Sequence, residues 1–179
     1  MGKRSNFKRR PQDKYRTFDR RAAEALAPHL RWRCQFWEPC AGAGDLVRDL
    51  QAYGAECVAA TDIAPECEGI YRLDALAASA ADVDATGATD IITNPVWSRD
   101  LLHAMILHFS AIRPTWLLFD ADWFHTKQAV PYLPHLHKVV SVGRLCWIEG
   151  TNTSGKDNCA WYLFDQRATG PIELVGRAA

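Results

Sequence analysis

The sequence predicts an α/β fold: a mostly parallel, seven-stranded open sheet with helices on both faces and an antiparallel C-terminal hairpin at one edge. Three observations carry that expectation. Short apolar runs at 35–38, 56–61, 90–93 and 114–119 alternate with segments whose apolar residues recur at helical spacing. The first run leads into a glycine turn, Glu38 to Gly44 (EPCAGAG), that opens a helix. Past the last helical segment come two further apolar runs, 137–142 and 160–164, joined by a polar loop.

Residues 1–14 show no apolar periodicity and contain Pro11, so they read as a flexible arm, with 15–179 as a single domain. Phe18, Ala22, Leu26 and Leu30 suit an amphipathic helix over about 18–30, and Asp13, Tyr15 and Thr17 lie just before it, placed to fold over the glycine turn. The helix at 45–53 carries Leu46, Val47 and Leu50 and stops at Gly54. The strand at 56–61 ends at Asp62. Residues 65–89 are rich in Ala, Gly and Asp, with a brief strand at 69–72 and a short helix near 75–82. The strand at 90–93 runs into Asn94-Pro95-Val96-Trp97, and Leu101, Leu102, Met105, Ile106 and Phe109 mark a helix over 99–111. The apolar strand at 114–119 opens into Asp120 and Asp122, and a helix or turn at 124–136 is interrupted by Pro131 and Pro134. Cys146–Ile148 are expected to extend the strand at 137–142 beyond Gly143.

The 179 residues are 48% hydrophobic and 23% charged, the balance of an ordinary globular domain. No apolar run approaches the roughly 20 residues of a membrane span, and the N-terminus is too basic for a signal peptide, which points to a cytoplasmic location. Six cysteines without a CxxC pair read as free thiols in a reducing compartment. The pairs Cys34/Cys40 and His135/His137 lack zinc-ligand spacing, so no metal is expected. Net charge is zero, but residues 1–21 hold nine Lys/Arg against two Asp, a net of +7 that leaves the remainder at −7. A basic arm on an acidic body suits contact with a phosphate backbone, or else is a solvated tail.

Ligands of doubly wound sheets gather outside the carboxyl ends of the strands, where Glu38 to Gly44, Asp62, Asn94 to Trp97, and Asp120/Asp122 all fall. Asp62 follows Gly42 by 20 residues, the spacing of a carboxylate that accepts hydrogen bonds from ribose hydroxyls. A dinucleotide would want a third glycine, where this chain has Val47, and would be repelled by Asp45 at the helix start. A sulfonium nucleoside with an amino-acid moiety, S-adenosylmethionine, is instead favoured by acidic residues there. The charge pattern selects the second cofactor.

EPCAGAGDL, then Asp62 in ATDI, Asp74 in RLDAL and NPVW after an apolar strand resemble, in that order, the Rossmann-like class I S-adenosylmethionine-dependent amino-methyltransferases. Within these the resemblance is to the N6-adenine DNA methyltransferases, including small phage- and prophage-borne members, and it covers about residues 13–120. It implies that Glu38, Gly42 and Gly44, with Cys40 and Ala41, line the methionine part of the cofactor. It further implies that Asp62 holds the ribose, that Ile63 packs on the adenine and that Asp74, with Ala75 beside it, meets the adenine amino group. Tyr15 and Thr17 match the N-terminal segment that closes over the cofactor. Asn94 and the Pro95 carbonyl would grip the two hydrogens of the target amine, and Trp97 would stack on the base. The family pattern has a second proline where this chain has Val96.

Asp122 and Trp123 at the rim are expected to contact the substrate, or else Asp122 orients His125; Arg144, Lys156 and Asp157 from the C-terminal loop are expected substrate contacts too, unless that loop is a plain tight turn, and Trp147 and Trp161 are either stacking surfaces or core. The expected partner is nucleic acid, most of all DNA. The chain is short for a sequence-specific DNA methyltransferase, so either specificity is low and comes from the 144–160 hairpin and the basic arm, or a partner chain or second copy supplies target recognition. RNA adenine methylation, protein glutamine methylation, a non-catalytic S-adenosylmethionine-binding module and a nicotinamide oxidoreductase stand as alternatives.

Overall fold

The computed structural model describes residues 16–148, 150 and 154–177. The basic arm and Tyr15 lie outside the described residues. Eight strands form one sheet: β1 (Gln35–Glu38), β2 (Glu56–Asp62), β3 (Tyr71–Arg72), β4 (Asp90–Thr93), β5 (Thr115–Asp120), β6 (Leu136–Gly143), β7 (Cys159–Phe164) and β8 (Glu173–Val175). Their order is β3-β2-β1-β4-β5-β7-β6-β8. All neighbours pair in parallel except β7, which runs antiparallel to both β5 and β6. The expected seven strands and C-terminal hairpin are present. The eighth, β8, is a three-residue edge strand along β6, too short and too exposed to leave a periodic signal.

The strand pleat sorts side chains between two cores, as period-two alternation requires. Phe36, Ile92, Trp116, Leu118 and Trp161 face one side, where they pack with Ala22, Ala23, Leu26, Leu46 and Leu50. These last residues belong to α1 (Arg21–Leu26) and α2 (Asp45–Ala52). Trp37, Ile91, Leu117, Phe119 and Tyr162 face the other side, against Val83 of α3 (Ala80–Thr86) and the Leu102, Met105, Ile106 and Phe109 face of α4 (Arg99–Ile112). Helices therefore cover both faces.

Three elements differ from expectation for local reasons. The first helix is short, because Pro28 has no N–H for an α-helical bond and the chain tightens into a 3₁₀ turn over Ala27–His29. The segment near 75–82 divides. Asp74 caps a 3₁₀ turn at Ala75–Ala77, and Ser79 with Asp82 forms a capping box that starts α3. Cys146–Ile148 do not extend β6; only Cys146 makes a single antiparallel bridge, to Ser154. All six cysteines are free, and among the described residues no helix is long and apolar enough to cross a membrane.

Phe109 sits fully buried in the α4 face and edge-on to Trp37 at 5.7 Å. Phe109→Ala should lower the unfolding free energy by about 3–5 kcal/mol, read from urea denaturation curves of the variant and the parent.

Candidate active site

The order β2-β1-β4-β5 brings the carboxyl ends of four parallel strands to one rim, so Asp62, Glu38, Asn94 and Asp120 emerge side by side. Between β1 and α2 the chain turns through Gly42 (φ +53°) and Gly44 (φ +74°), both in the left-handed region that disfavours side chains. Asp62 braces this turn. One of its carboxylate oxygens accepts the Gly42 N–H and the other the Ala64 N–H, each at 2.8 Å.

Glu38 is buried at the end of β1, and its Oε2 has no hydrogen-bond partner among the described residues. Burial, then the Asp62 and Asp45 carboxylates, push its pKa up to about 8. Asp45 is not the free acid that the sequence suggests. The Arg16 guanidinium binds both of its oxygens, at 2.6 and 2.9 Å, and Arg48 adds a third contact. The acidic character of the turn therefore rests on Glu38 and Asp62. Asp74 lies near enough for its charge to act on the half-buried Cys40 thiol, whose pKa is pushed up to about 12 by desolvation with help from Glu38, Asp62 and Asp74. A buried carboxylate oxygen left unpartnered is costly unless it is protonated or meets a cationic donor. The amino-acid ammonium of S-adenosylmethionine fits this donor set; a pyrophosphate does not.

Asn94 leaves β4 with both ends of its amide engaged. Its Nδ2 donates to the Thr17 hydroxyl at 2.9 Å, and its Oδ1 accepts the Trp97 indole N–H at 3.0 Å. The same indole N–H reaches the Leu118 carbonyl at 3.2 Å, and the Trp97 ring packs edge-on against Trp147 at 5.6 Å. Gly155 lies against Trp147: a Cβ there would come within 2.9 Å of the indole, so only glycine allows this approach. Pro95 is buried, and Val96 is half-buried.

Residues 16–19 cross the rim as a strap. Arg16 holds the glycine turn through Asp45, Thr17 holds Asn94, and Asp19 accepts the backbone N–H of Cys146 at 2.8 Å. The sequence marks Thr17 through its resemblance to a cofactor-closing segment, yet its contact is with Asn94. Arg16 and Asp19 carry no motif and are visible only in the fold.

The remaining predicted residues separate. Ile63 is 59% exposed at the rim, Asp74 is exposed while its Oδ1 accepts the Leu76 N–H, and Ala41 and Ala75 are buried beneath them. Asp122, Arg144, Lys156 and Asp157 are all exposed. Asp120 caps the turn at Ala121–His125, and burial followed by Asp122 and Asp157 raises its pKa. Trp123 corrects an expectation. It is a core residue, 7% exposed, with its indole N–H on His103 and its ring among Phe119, Tyr132, Tyr162 and Phe164. Trp161 is core as well, fully buried with its N–H on the Ala22 carbonyl. Two surface hollows, about 250 and 380 Å³, lie at the opposite rim around Arg31, Asp90, Arg113 and Pro114, away from these groups.

The sheet order, the single antiparallel strand β7 and the glycine turn after β1 define the class I S-adenosylmethionine-dependent methyltransferase fold. Among solved structures the chain is similar to the M protein of the type I restriction enzyme EcoKI, at 11% identity and a TM-score of 0.54 over 86% of this chain. It is similar to a proposed class I S-adenosylmethionine-dependent methyltransferase from Listeria monocytogenes, at 9% identity and 0.53 over 88%. It is also similar to a proposed RNA methyltransferase from Pyrococcus horikoshii, at 15% identity and 0.56 over 91%. The chain spans 45% of the first of these proteins, 63% of the second and 93% of the third. No protein-family model matches the sequence, and no curated protein sequence does.

The state of Glu38 is open to measurement. Its folded pKa of about 8 lies above the 4.5 of an ordinary glutamate, so between those values the folded chain keeps a proton that the unfolded chain has lost. That contribution to stability is complete below the unfolded value and disappears as pH rises through the folded one. Glu38→Gln removes the loss, so its melting temperature relative to the parent should climb from about pH 5 to about pH 8 and level off above that. A cation bound at Glu38 expels the proton, so S-adenosylmethionine should bind more tightly as pH rises across this window. Calorimetry near pH 7 in buffers of different ionisation enthalpy should show proton release on binding.

Proposed function

We propose that this chain is an S-adenosylmethionine-dependent N-methyltransferase acting on an exocyclic amine, the N6 amino group of adenine in DNA. The observation that carries the reading is the adjacency, on neighbouring strands β1 and β4, of a buried carboxylate with an unpartnered oxygen and an Asn-Pro turn. When bound, S-adenosylmethionine supplies an electrophilic methyl group on a sulfonium that is already a good leaving group. Glu38 receives the amino-acid ammonium, Asp62 the ribose hydroxyls, and Ile63 and Asp74 the adenine face and amino group. Gly42 and Gly44 let the ligand approach the backbone.

An adenine amine is a poor nucleophile because its lone pair is delocalised into the ring. Asn94 Oδ1 has a second lone pair beside the one that takes the Trp97 N–H, and the Pro95 carbonyl lies next to it in the chain. Two acceptors on the two amine hydrogens favour a pyramidal nitrogen with its lone pair aimed at the methyl group. Neither acceptor is basic, so the proton that the amine gives up on methylation would pass to solvent. In a duplex the base is first flipped out, with Trp97 as its stacking surface. Val96 removes the rigidity of a second proline; the hydrogen bonds at both ends of the Asn94 amide supply rigidity instead.

The +7 charge of residues 1–21 suits the phosphate backbone, and the exposed Asp122, Arg144, Lys156 and Asp157 suit contacts around the flipped base. Recognition beyond that base falls to the 144–160 segment and the basic arm, or to a partner chain. The test is transfer of labelled methyl from S-adenosylmethionine to duplex DNA, RNA and a glutamine peptide in parallel. DNA should be labelled at adenine N6, and Asn94→Ala should reduce transfer about 100-fold. Label in RNA or peptide alone would reassign the substrate, and equal transfer by the variant would remove Asn94 from the reaction.

A further inference from the structure

An amide is asymmetric in the one respect that matters at this site. Its oxygen accepts hydrogen bonds and its nitrogen donates them, although the two ends have nearly the same shape. Only the oxygen can hold a hydrogen of a target amine. A half-turn of Asn94 about its last side-chain bond would offer the amine a second donor and no acceptor. Something must therefore keep the oxygen end facing the reaction.

Two residues outside the Asn-Pro pair are placed to do this. The Trp97 indole nitrogen is a donor only, so the atom 3.0 Å from it must be an acceptor, Asn94 Oδ1. A flipped amide would set two N–H groups against each other there. The indole is itself located by the Leu118 carbonyl, part of β5, and by the Trp147 ring. At the opposite end Asn94 Nδ2 gives a hydrogen to Thr17, a buried residue on a segment whose Arg16 is tied to Asp45 at the start of α2 and whose Asp19 is tied to Cys146. The hydroxyl is thus held from both sides along the strap.

We infer that Trp97 and Thr17 form a clamp that fixes the orientation of the Asn94 amide, with Trp97 acting through its indole N–H as well as through its ring. Both are positioning residues acting through Asn94. The inference rests on the amine-methyltransferase reading and adds to it a reason why the aromatic residue of this turn is a tryptophan. A residue that merely stacked could lose its N–H without consequence.

The experiment has an activity arm and a spectroscopic arm. In single-turnover methyl transfer, Thr17→Val and Trp97→Phe should each lower the rate about 10- to 100-fold while S-adenosylmethionine affinity stays at the parental value. Thr17→Ser should restore most of the rate. Asn94→Asp presents two equivalent oxygens and needs no orientation, so in that background both penalties should shrink to a small fraction of their size. Full penalties in the Asn94→Asp background would overturn the clamp, as would parental rates in both single variants. The spectroscopic arm uses selective ¹⁵N labelling of the four asparagines and seven tryptophans. The Asn94 side-chain amide and the Trp97 indole N–H, assigned by their loss in Asn94→Asp and Trp97→Phe, should exchange slowly with solvent. Thr17→Val should abolish the protection of the amide. Fast exchange of both groups in the parent chain would overturn the clamp whatever the transfer assay shows. Protected groups in a parent chain that transfers no methyl to any substrate would refute the amine reading and leave the clamp in place.

Discussion

A carboxylate without an internal partner governs the rim. Glu38 ends a central strand, flanked by β2 and β4, so the sheet buries it whatever its charge. In that low-dielectric position the fields of Asp62 and Asp45 act strongly, and together with desolvation they hold it protonated near neutral pH. Asp45 has its own two guanidinium partners, and Asp62 is engaged with backbone N–H groups. Glu38 is the group left wanting a cation, and everything that would hold one is arranged around it.

The rim is closed by segments distant in sequence. The strap at 16–19 reaches the glycine turn, the Asn94 turn and Cys146 in four residues, and Trp147, with Gly155 against its indole, packs on Trp97. Trp97 is packed against both hydrophobic cores, so the turn that carries Asn94 is supported from each face of the sheet. That support suits a turn lacking a second proline, since hydrogen bonds and packing restrain it where ring geometry does not.

Much of this was legible in the chain itself. Parallel strands buried on both faces leave continuous apolar runs such as Ile91-Ile92 and Trp116-Leu117-Leu118-Phe119, and the punctuation after each run marks the rim. Cofactor-turn glycines announce themselves because no other residue takes their backbone angles easily. Trp123 misled because an aromatic residue just past a strand end looks the same in sequence whether it turns outward or into the core; contact with His103, Tyr132 and Tyr162 settles it inward. Arg16 and Asp19 left no signal because their partners lie 29 and 127 residues away.

By itself the sequence determined the sheet, its two helical layers and the row of polar groups at the carboxyl ends of the strands, because periodicity and turn chemistry are local and act along the chain. The tertiary structure alone decided which of those groups are satisfied and which are not. Asp45 is paired, Glu38 is unpartnered, and the Asn94 amide points its oxygen toward Trp97. Charge balance and hydrogen-bond direction are properties of neighbours in space, and spacing along a chain does not encode them.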